Sequence, residues 1–249
     1  MENEYGLPIQ KKCAVAFVDV LGISKKIEQD SNWALKLMWI FYKVIMSEAE
    51  KYEHIKIRIF SDNILICEEI DENNPKLAIL DVLSIIDTIE LEQLKMGALF
   101  VRGAVVVDNL HFSENFVYGA ALLKAYLMEK DSVIYPRIVI DNSVLELINS
   151  DDSFISLDKD GHYFYDFLQS RITAGGTRLS QELAKFRGNI LVNITSNASV
   201  ISVINKMEWL VNYFNNSCAV SGLKQRITEK DIQRCGLQVD SFHIIAKTK

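Results

Sequence analysis

The chemistry-bearing residues of this 249-residue chain begin with two aspartates. Asp19 lies near the end of the apolar run Cys13–Val20, in Phe17-Val18-Asp19-Val20-Leu21-Gly22, and Asp62 lies in Ser61-Asp62-Asn63 between two further apolar runs. Taken singly, each has an ordinary explanation: Asp19 caps the helix that follows, and Asp62 is a turn residue. A carboxylate inside an apolar run is nevertheless costly to bury without a cation or donors. If the two strands are neighbours, the pair forms a hard oxygen site suited to magnesium, which takes one or two carboxylates and fills its shell with water and phosphate oxygens. Two metal ions so held activate an attacking oxygen and neutralise a leaving pyrophosphate. Gly22-Ile23-Ser24 adds free backbone amides at a helix start, a seat for phosphate. Arg102, inside the apolar run 98–107, requires an anionic partner. No GxxxxGK[ST] sequence is present, so this is not a P-loop protein.

These residues need strands to hold them. Cys13–Val20 reads as a buried central strand ended by Gly22, with a helix opening at Ser24. Residues 33–52 read as a helix whose Leu35, Met38, Trp39, Tyr42, Ile45 and Met46 trace one apolar face. Residues 55–67 read as a β-hairpin turning at Ser61-Asp62-Asn63. Pro75 starts a helix to about Leu94, with Leu77, Leu80, Leu83, Ile86 and Ile89 inward. Strands follow at 98–107, where Gly103 marks a bulge or a close backbone approach, at Phe116–Tyr118, at Ile138–Ile140 and at His162–Phe167. A helix is expected at Ala120–Glu129, and helical segments at Leu179–Phe186 and Val200–Phe214. The order βαββαβ with further αβ elements predicts an α+β, ferredoxin-like core. The expected division is a core over 1–168 and a mainly helical extension over 169–249. In that extension Trp209, Leu210, Tyr213 and Phe214 pack on the core or on a dimer partner.

Composition limits the function classes. A hydrophobic share of 49% and a charged share of 24% are those of an ordinary globular protein. The net charge of −6 argues against a general nucleic-acid surface but not against a small anionic ligand held by metals. The four cysteines are scattered without a CxxC pair, which argues against disulfides and zinc. Met1–Lys12 lacks the apolar stretch of a signal peptide, and the apolar runs are too short to span a bilayer, so a cytoplasmic protein without a membrane partner is expected. His54, His111, His162 and His243 show no ligand or triad spacing and receive no role. Glu68-Glu69 and Asp151-Asp152 read as solvated strand-end or turn charges.

The residues also carry a family resemblance. Phe17–Ser24 resembles the first metal motif of class III nucleotide cyclases, and Phe60-Ser61-Asp62 resembles the second, where a glycine more commonly precedes the aspartate. Val101-Arg102-Gly103 and Val117-Tyr118-Gly119 resemble the next two blocks. Within the class, the segments FVDVLG, FSDN, VRG, VYGAALLKAYLMEKD and YPRIVID are most similar to the bacterial pyrimidine (uridylate and cytidylate) cyclases of Pycsar anti-phage defence. The similarity covers roughly Ala14 to Asp141.

The resemblance implies that Asp19, Asp62 and the backbone carbonyl of Val20 hold two Mg²⁺ or Mn²⁺ ions per active site. It also implies a homodimer with its sites at the interface, and a substrate that is a pyrimidine nucleoside triphosphate. Arg58 falls where the class keeps a base-selecting residue, and its alternative is an exposed strand arginine. Phe60 and Phe116 fall on base-pocket positions and Tyr42 is a further candidate, with core packing as the alternative for each. Arg102 resembles the arginine that contacts the triphosphate. The positions where many class members carry an asparagine and an arginine are here Leu123 and Leu127. The implied reaction is cyclisation of UTP or CTP to the 3′,5′-cyclic monophosphate and pyrophosphate, the product signalling to a separate effector. A catalytically inactive nucleotide-sensing or dimerisation module and an ATP or GTP cyclase are the alternatives.

Overall fold

The computed structural model describes residues 4–96, 99–149, 152–238, 242 and 244. Asp151, His243 and the start of the strand expected at residue 98 lie outside the described residues. The chain divides into two compact units, one of residues Met1–Glu90 and Phe100–Tyr165, the other of Leu91–Leu99 and Asp166–Lys249.

The first unit is built around β1 (Lys11–Leu21), whose buried Cys13–Val18 stretch explains the unbroken apolar run in the sequence. After α1 (Ile23–Gln29) and α2 (Ser31–Ala49) come β2 (Lys56–Phe60) and β3 (Asn63–Glu69), which pair antiparallel across a two-residue turn. Ser61 takes a positive φ of 55° there, as a tight hairpin turn of matching twist demands. Then follow α3 (Pro75–Met96), β4 (Phe100–Phe112), β5 (Val117–Tyr118), α4 (Ala120–Asp131), β6 (Ile138–Ile140), α5 (Asn142–Leu145), β7 (Ile155–Leu157) and β8 (Tyr163–Tyr165).

The sheet order is β2-β3-β1-β4-β6-β8-β7, with β5 paired to β4. Neighbours among its first four strands pair antiparallel with β1 inside, the arrangement of a split βαβ unit, and the parallel β4–β6 pair extends it. The fold is therefore α+β with a ferredoxin-like core. One sheet face packs under α4, where Val15, Phe17, Leu65 and Val106 meet Ala121 and Ala125. Cys13 and Cys67 belong to this cluster as small buried hydrophobes, and burial pushes the Cys13 thiol up to about 11.

In the second unit the described residues from Asp166 onward form α6 (Phe167–Ala174), α7 (Leu179–Ser196), α8 (Ile201–Val220) and α9 (Glu229–Arg234). The α7 and α8 helices run well past the ends expected from sequence. Leu210, Tyr213 and Phe214 are buried. Phe167 stands edge-on to Phe186 at 5.7 Å and tilted to Tyr213 at 5.8 Å, so the aromatic face of α8 helps fill the core of its own unit. The Tyr213 hydroxyl donates to Asp166 at 2.6 Å and accepts from the Leu168 amide at 3.0 Å.

Several expectations need correction. The inward face of α2 is Ala34, Leu37, Phe41 and Ile45; Leu35 and Trp39, placed inward by the sequence pattern, are 64% and 54% exposed. Tryptophan, leucine and methionine recur all round this helix, so hydrophobic spacing alone does not single out its buried side. Leu77 is likewise exposed, while Ile79, Val82 and Ile85 are buried with Leu83, Ile86 and Ile89. Glu68 is not a solvated charge. It is 6% exposed, pairs with Ala14 on β1, and its Oε2 has no hydrogen-bond partner among the described residues.

Two expected outcomes follow from this packing. Burial, with a smaller effect from the Asp81 charge, raises the Glu68 carboxyl to about 7. A folded value above the unfolded one means that Glu68 is accommodated without loss below about pH 4.5 and destabilises increasingly as pH rises through about 7. Glu68→Gln should therefore gain about 1–3 kcal/mol over wild type at pH 8.5 and little at pH 5, read by urea denaturation. Gly103 is the close approach the sequence signalled: a Cβ there would lie 2.3 Å from the Phe17 carbonyl oxygen and 3.0 Å from Val18 Cα, both backbone. Gly103→Ala should cost about 1–3 kcal/mol in the same assay.

Candidate active site

The strand register decides which polar groups meet. Asp19 of β1 lies opposite Asn63 of β3 on one side and opposite Arg102 of β4 on the other. The Val20 amide donates to the Asp62 carbonyl at 2.8 Å, so the end of β1 and the hairpin turn are backbone neighbours. Ser24, in the first turn of α1, donates its hydroxyl to Asp62 Oδ2 at 3.0 Å, and the Asn63 side-chain amide donates to Oδ1 at 3.1 Å.

Gly22 supplies the left-handed conformation, φ 83°, that turns the chain from β1 into α1. Ile23 is buried and Ser24 is engaged with Asp62, so only backbone amides remain here for an anion, on a helix of seven residues. Asp62, Asp19 and the Val20 carbonyl are all hard oxygen donors, and this donor set fits Mg²⁺ or Mn²⁺. No group of three or more His, Cys, Asp and Glu side chains able to hold a metal occurs among the described residues.

Arg102 finds its anionic partners inside the chain. Its Nε donates to Asp19 Oδ2 at 3.2 Å, one terminal nitrogen donates to the Val133 carbonyl at 3.0 Å, and the other pairs with Glu129 Oε1 at 2.7 Å. Glu129 is buried and belongs to α4. Asp19, Arg102 and Glu129 thus form a charged row from the end of β1 across β4 to α4.

Arg58 lies on β2 opposite Leu65. Its guanidinium donates to the Ser113 carbonyl at 3.1 Å and to the Glu114 carbonyl, and lies 4.9 Å from the Phe112 ring centroid. It therefore holds the loop between β4 and β5. That loop carries Phe116, which is exposed and stacked on Tyr118 at 6.0 Å. Tyr42 is half-buried on α2 and stacks on Trp39 at 5.0 Å.

An open groove of about 790 Å³ lies on the α4 side of the sheet, within the first unit. Phe17, Phe60, Asn63, Tyr118, Leu123 and Tyr126 are among the residues that line it. Tyr126 meets Phe17 edge-on at 5.7 Å, and Phe60 is tilted to Phe17 at 6.3 Å. Asn63 joins groove and carboxylates, because it lines the one and bonds the other. The size and apolar, aromatic lining suit a nucleoside-sized ligand.

Of the residues expected from sequence, the structure gathers Asp19, Val20, Gly22, Ser24, Asp62 and Arg102 at one end of β1, with Phe60 in the adjoining groove. Tyr42 and Phe116 are not among the groove-lining residues, although Tyr118, stacked on Phe116, is. Sequence reasoning missed Tyr118 and Tyr126 as groove walls and Glu129 as a partner of Arg102. A signal for Glu129 existed: Ala121, Ala125 and Glu129 recur at four-residue spacing, which makes one inward stripe of α4.

No protein-family model matches the chain, and no curated protein matches it. Among solved structures, the chain is similar to the monomeric guanylyl cyclase domain of the RhoGC fusion protein from the aquatic fungus Blastocladiella emersonii. The identity is 16% over 63% of this chain and 95% of that one, with a TM-score of 0.48. It is also similar to the adenylyl cyclase CyaB from P. aeruginosa, at 14% identity over 63% of this chain and 93% of that one, TM-score 0.47. A third is the guanylate cyclase domain of RhGC from Catenaria anguillulae in complex with GTP, at 15% identity over 62% and 96%, TM-score 0.42.

Proposed function

We propose that this chain is a metal-dependent nucleotidyl cyclase acting on UTP or CTP. The observation that supports this most is the backbone bond from the Val20 amide to the Asp62 carbonyl. It brings two aspartate-bearing segments from distant parts of the sequence to one place beside an aromatic groove.

In this reading Asp19, Asp62 and the Val20 carbonyl hold the divalent cations, and the groove of Phe60, Tyr118 and Tyr126 takes the base. Magnesium or manganese, when bound, neutralises triphosphate charge and eases deprotonation of the ribose 3′-hydroxyl. The chain's own part is to place that oxygen in line with the α-phosphorus and to keep the reacting groups oriented. The 3′ oxygen gives up its proton to solvent and bonds to the α-phosphorus. The bond from that phosphorus to the bridging oxygen of the β-phosphate breaks, leaving a 3′,5′-cyclic monophosphate and pyrophosphate. Ser24 and Asn63 fix the Asp62 carboxylate for this role through their hydrogen bonds.

Arg58 contributes by holding the loop of Ser113 and Glu114, and through it the rings of Phe116 and Tyr118, beside the base. The exposed side of α4, with Leu123, Tyr126 and Leu127, is the face across which a second copy completes the site. The sheet-bearing unit carries the activity, and the helical region is an accessory to it. The product is a second messenger for a separate effector, as the resemblance to the Pycsar cyclases implies.

A second reading, a nucleotide-sensing module without turnover, is favoured by one observation: Leu123 is apolar and 59% exposed where many cyclases carry a polar transition-state group. A variant separates the two. Asp62→Ala, with unchanged circular dichroism, should lower cyclic nucleotide formation at least about 100-fold with Mn²⁺ present, measured by chromatography of the products. Wild-type turnover in that variant would remove the role given to Asp62, and absence of turnover in both proteins would favour the sensing module.

A further inference from the structure

The charged row from Asp19 through Arg102 to Glu129 places a guanidinium against the carboxylate assigned to the metal, and the metal-binding reading above is the ground on which this inference rests. A fixed positive charge 3.2 Å from Asp19 Oδ2 opposes a divalent cation at that carboxylate. Glu129 faces the same guanidinium from α4 at 2.7 Å, and its side chain is only 7% exposed. The pair therefore interacts in surroundings where water screens poorly, and the negative charge of Glu129 cancels much of the arginine's field at Asp19.

We propose that Glu129 is a positioning residue for the metal site: it neutralises Arg102, draws the guanidinium toward α4, and so keeps Asp19 available to a divalent cation. Three features of the fold make the row rigid enough for this. Arg102 stands directly opposite Asp19 in the β1–β4 ladder. Its other terminal nitrogen donates to the Val133 carbonyl just beyond α4. Ala121 and Ala125, on the same stripe of α4 as Glu129, bring that helix close to the sheet. The row also links the cation to the helix whose outer face carries Leu123 and Leu127. A shift of α4 would move Glu129 relative to Arg102 and change the affinity of Asp19 for metal.

The test measures Mn²⁺ affinity of the full chain without nucleotide, by electron paramagnetic resonance of free Mn²⁺, with circular dichroism as the folding check. Wild type should bind Mn²⁺ in a manner that Asp19→Asn weakens. Glu129→Gln should bind about tenfold more weakly than wild type, because the guanidinium is then uncompensated. Glu129→Asp should recover most of that loss. The double variant Arg102→Gln/Glu129→Gln, which removes both charges, should bind at least as tightly as wild type.

A purely packing role for Glu129 lowers thermal stability but leaves Mn²⁺ affinity of the folded protein unchanged, and equal affinity in wild type and Glu129→Gln overturns the proposal. Equally weak binding by the single and double variants overturns it as well, since the loss would not come from the arginine's charge. If Glu129→Gln does not fold, the double variant decides: binding weaker than wild type overturns the proposal. Absence of any Asp19-dependent Mn²⁺ binding in wild type overturns instead the metal assignment beneath it.

Discussion

An arginine near the start of a largely apolar strand, with its side chain only 24% exposed, must be matched by negative charge, because burying an unpaired guanidinium costs several kcal/mol. Arg102 meets that requirement with Asp19 on the neighbouring strand and Glu129 on the overlying helix, and much of the first unit is arranged so that it can. β1 pairs with β4 in the register that sets Asp19 opposite Arg102, and Gly103, lacking a side chain, lets the two strands approach at the next position. Small residues on α4 bring Glu129 down to the sheet. The same register places Asp19 opposite Asn63 on the other side of β1. The constraint that stabilises the arginine therefore also fixes Asp19, whose chain neighbour Val20 bonds the Asp62 carbonyl.

The groove gives this charged end of the sheet its chemical context. Phe17 is two residues from Asp19 on the same face of β1, and it carries Tyr126 and Phe60 against its ring. In the proposed reading, the hard oxygen donors at the strand end hold the cations that meet the phosphates, and the aromatic wall beside them meets a flat base. Asn63 touches both regions. Arg58 donates to carbonyls of the loop that carries Phe116, and Phe116 stacks on Tyr118. No described helix is long and apolar enough to cross a membrane.

The sequence made the central strand, the hairpin, its polar turn and the glycine in β4 legible, because each depends on local chemistry: unbroken apolar residues, a turn triplet, a missing side chain. It was less informative wherever burial is decided by a partner distant in sequence. The face of α2 was misassigned because that helix is apolar on more than one side. Glu68 reads as an ordinary strand-end charge until β1 and α3 are placed around it. At the site, the two aspartates were visible as carboxylates inside apolar runs. The anionic partner of Arg102 was foreseen as a need but not as Glu129, because only the packing of α4 on the sheet brings them together. Tyr126 lines the groove through the same packing, and Tyr118 through the pairing of β5 with β4.

The most direct measurement incubates the purified chain with ATP, GTP, UTP and CTP together in Mn²⁺ and identifies the products by mass spectrometry. A pyrimidine cyclase releases cyclic UMP or cyclic CMP with pyrophosphate in equal amount, and the purine nucleotides persist. Cyclic AMP or cyclic GMP as the main product would contradict the proposed substrate, and four unchanged nucleotides would contradict the proposed activity.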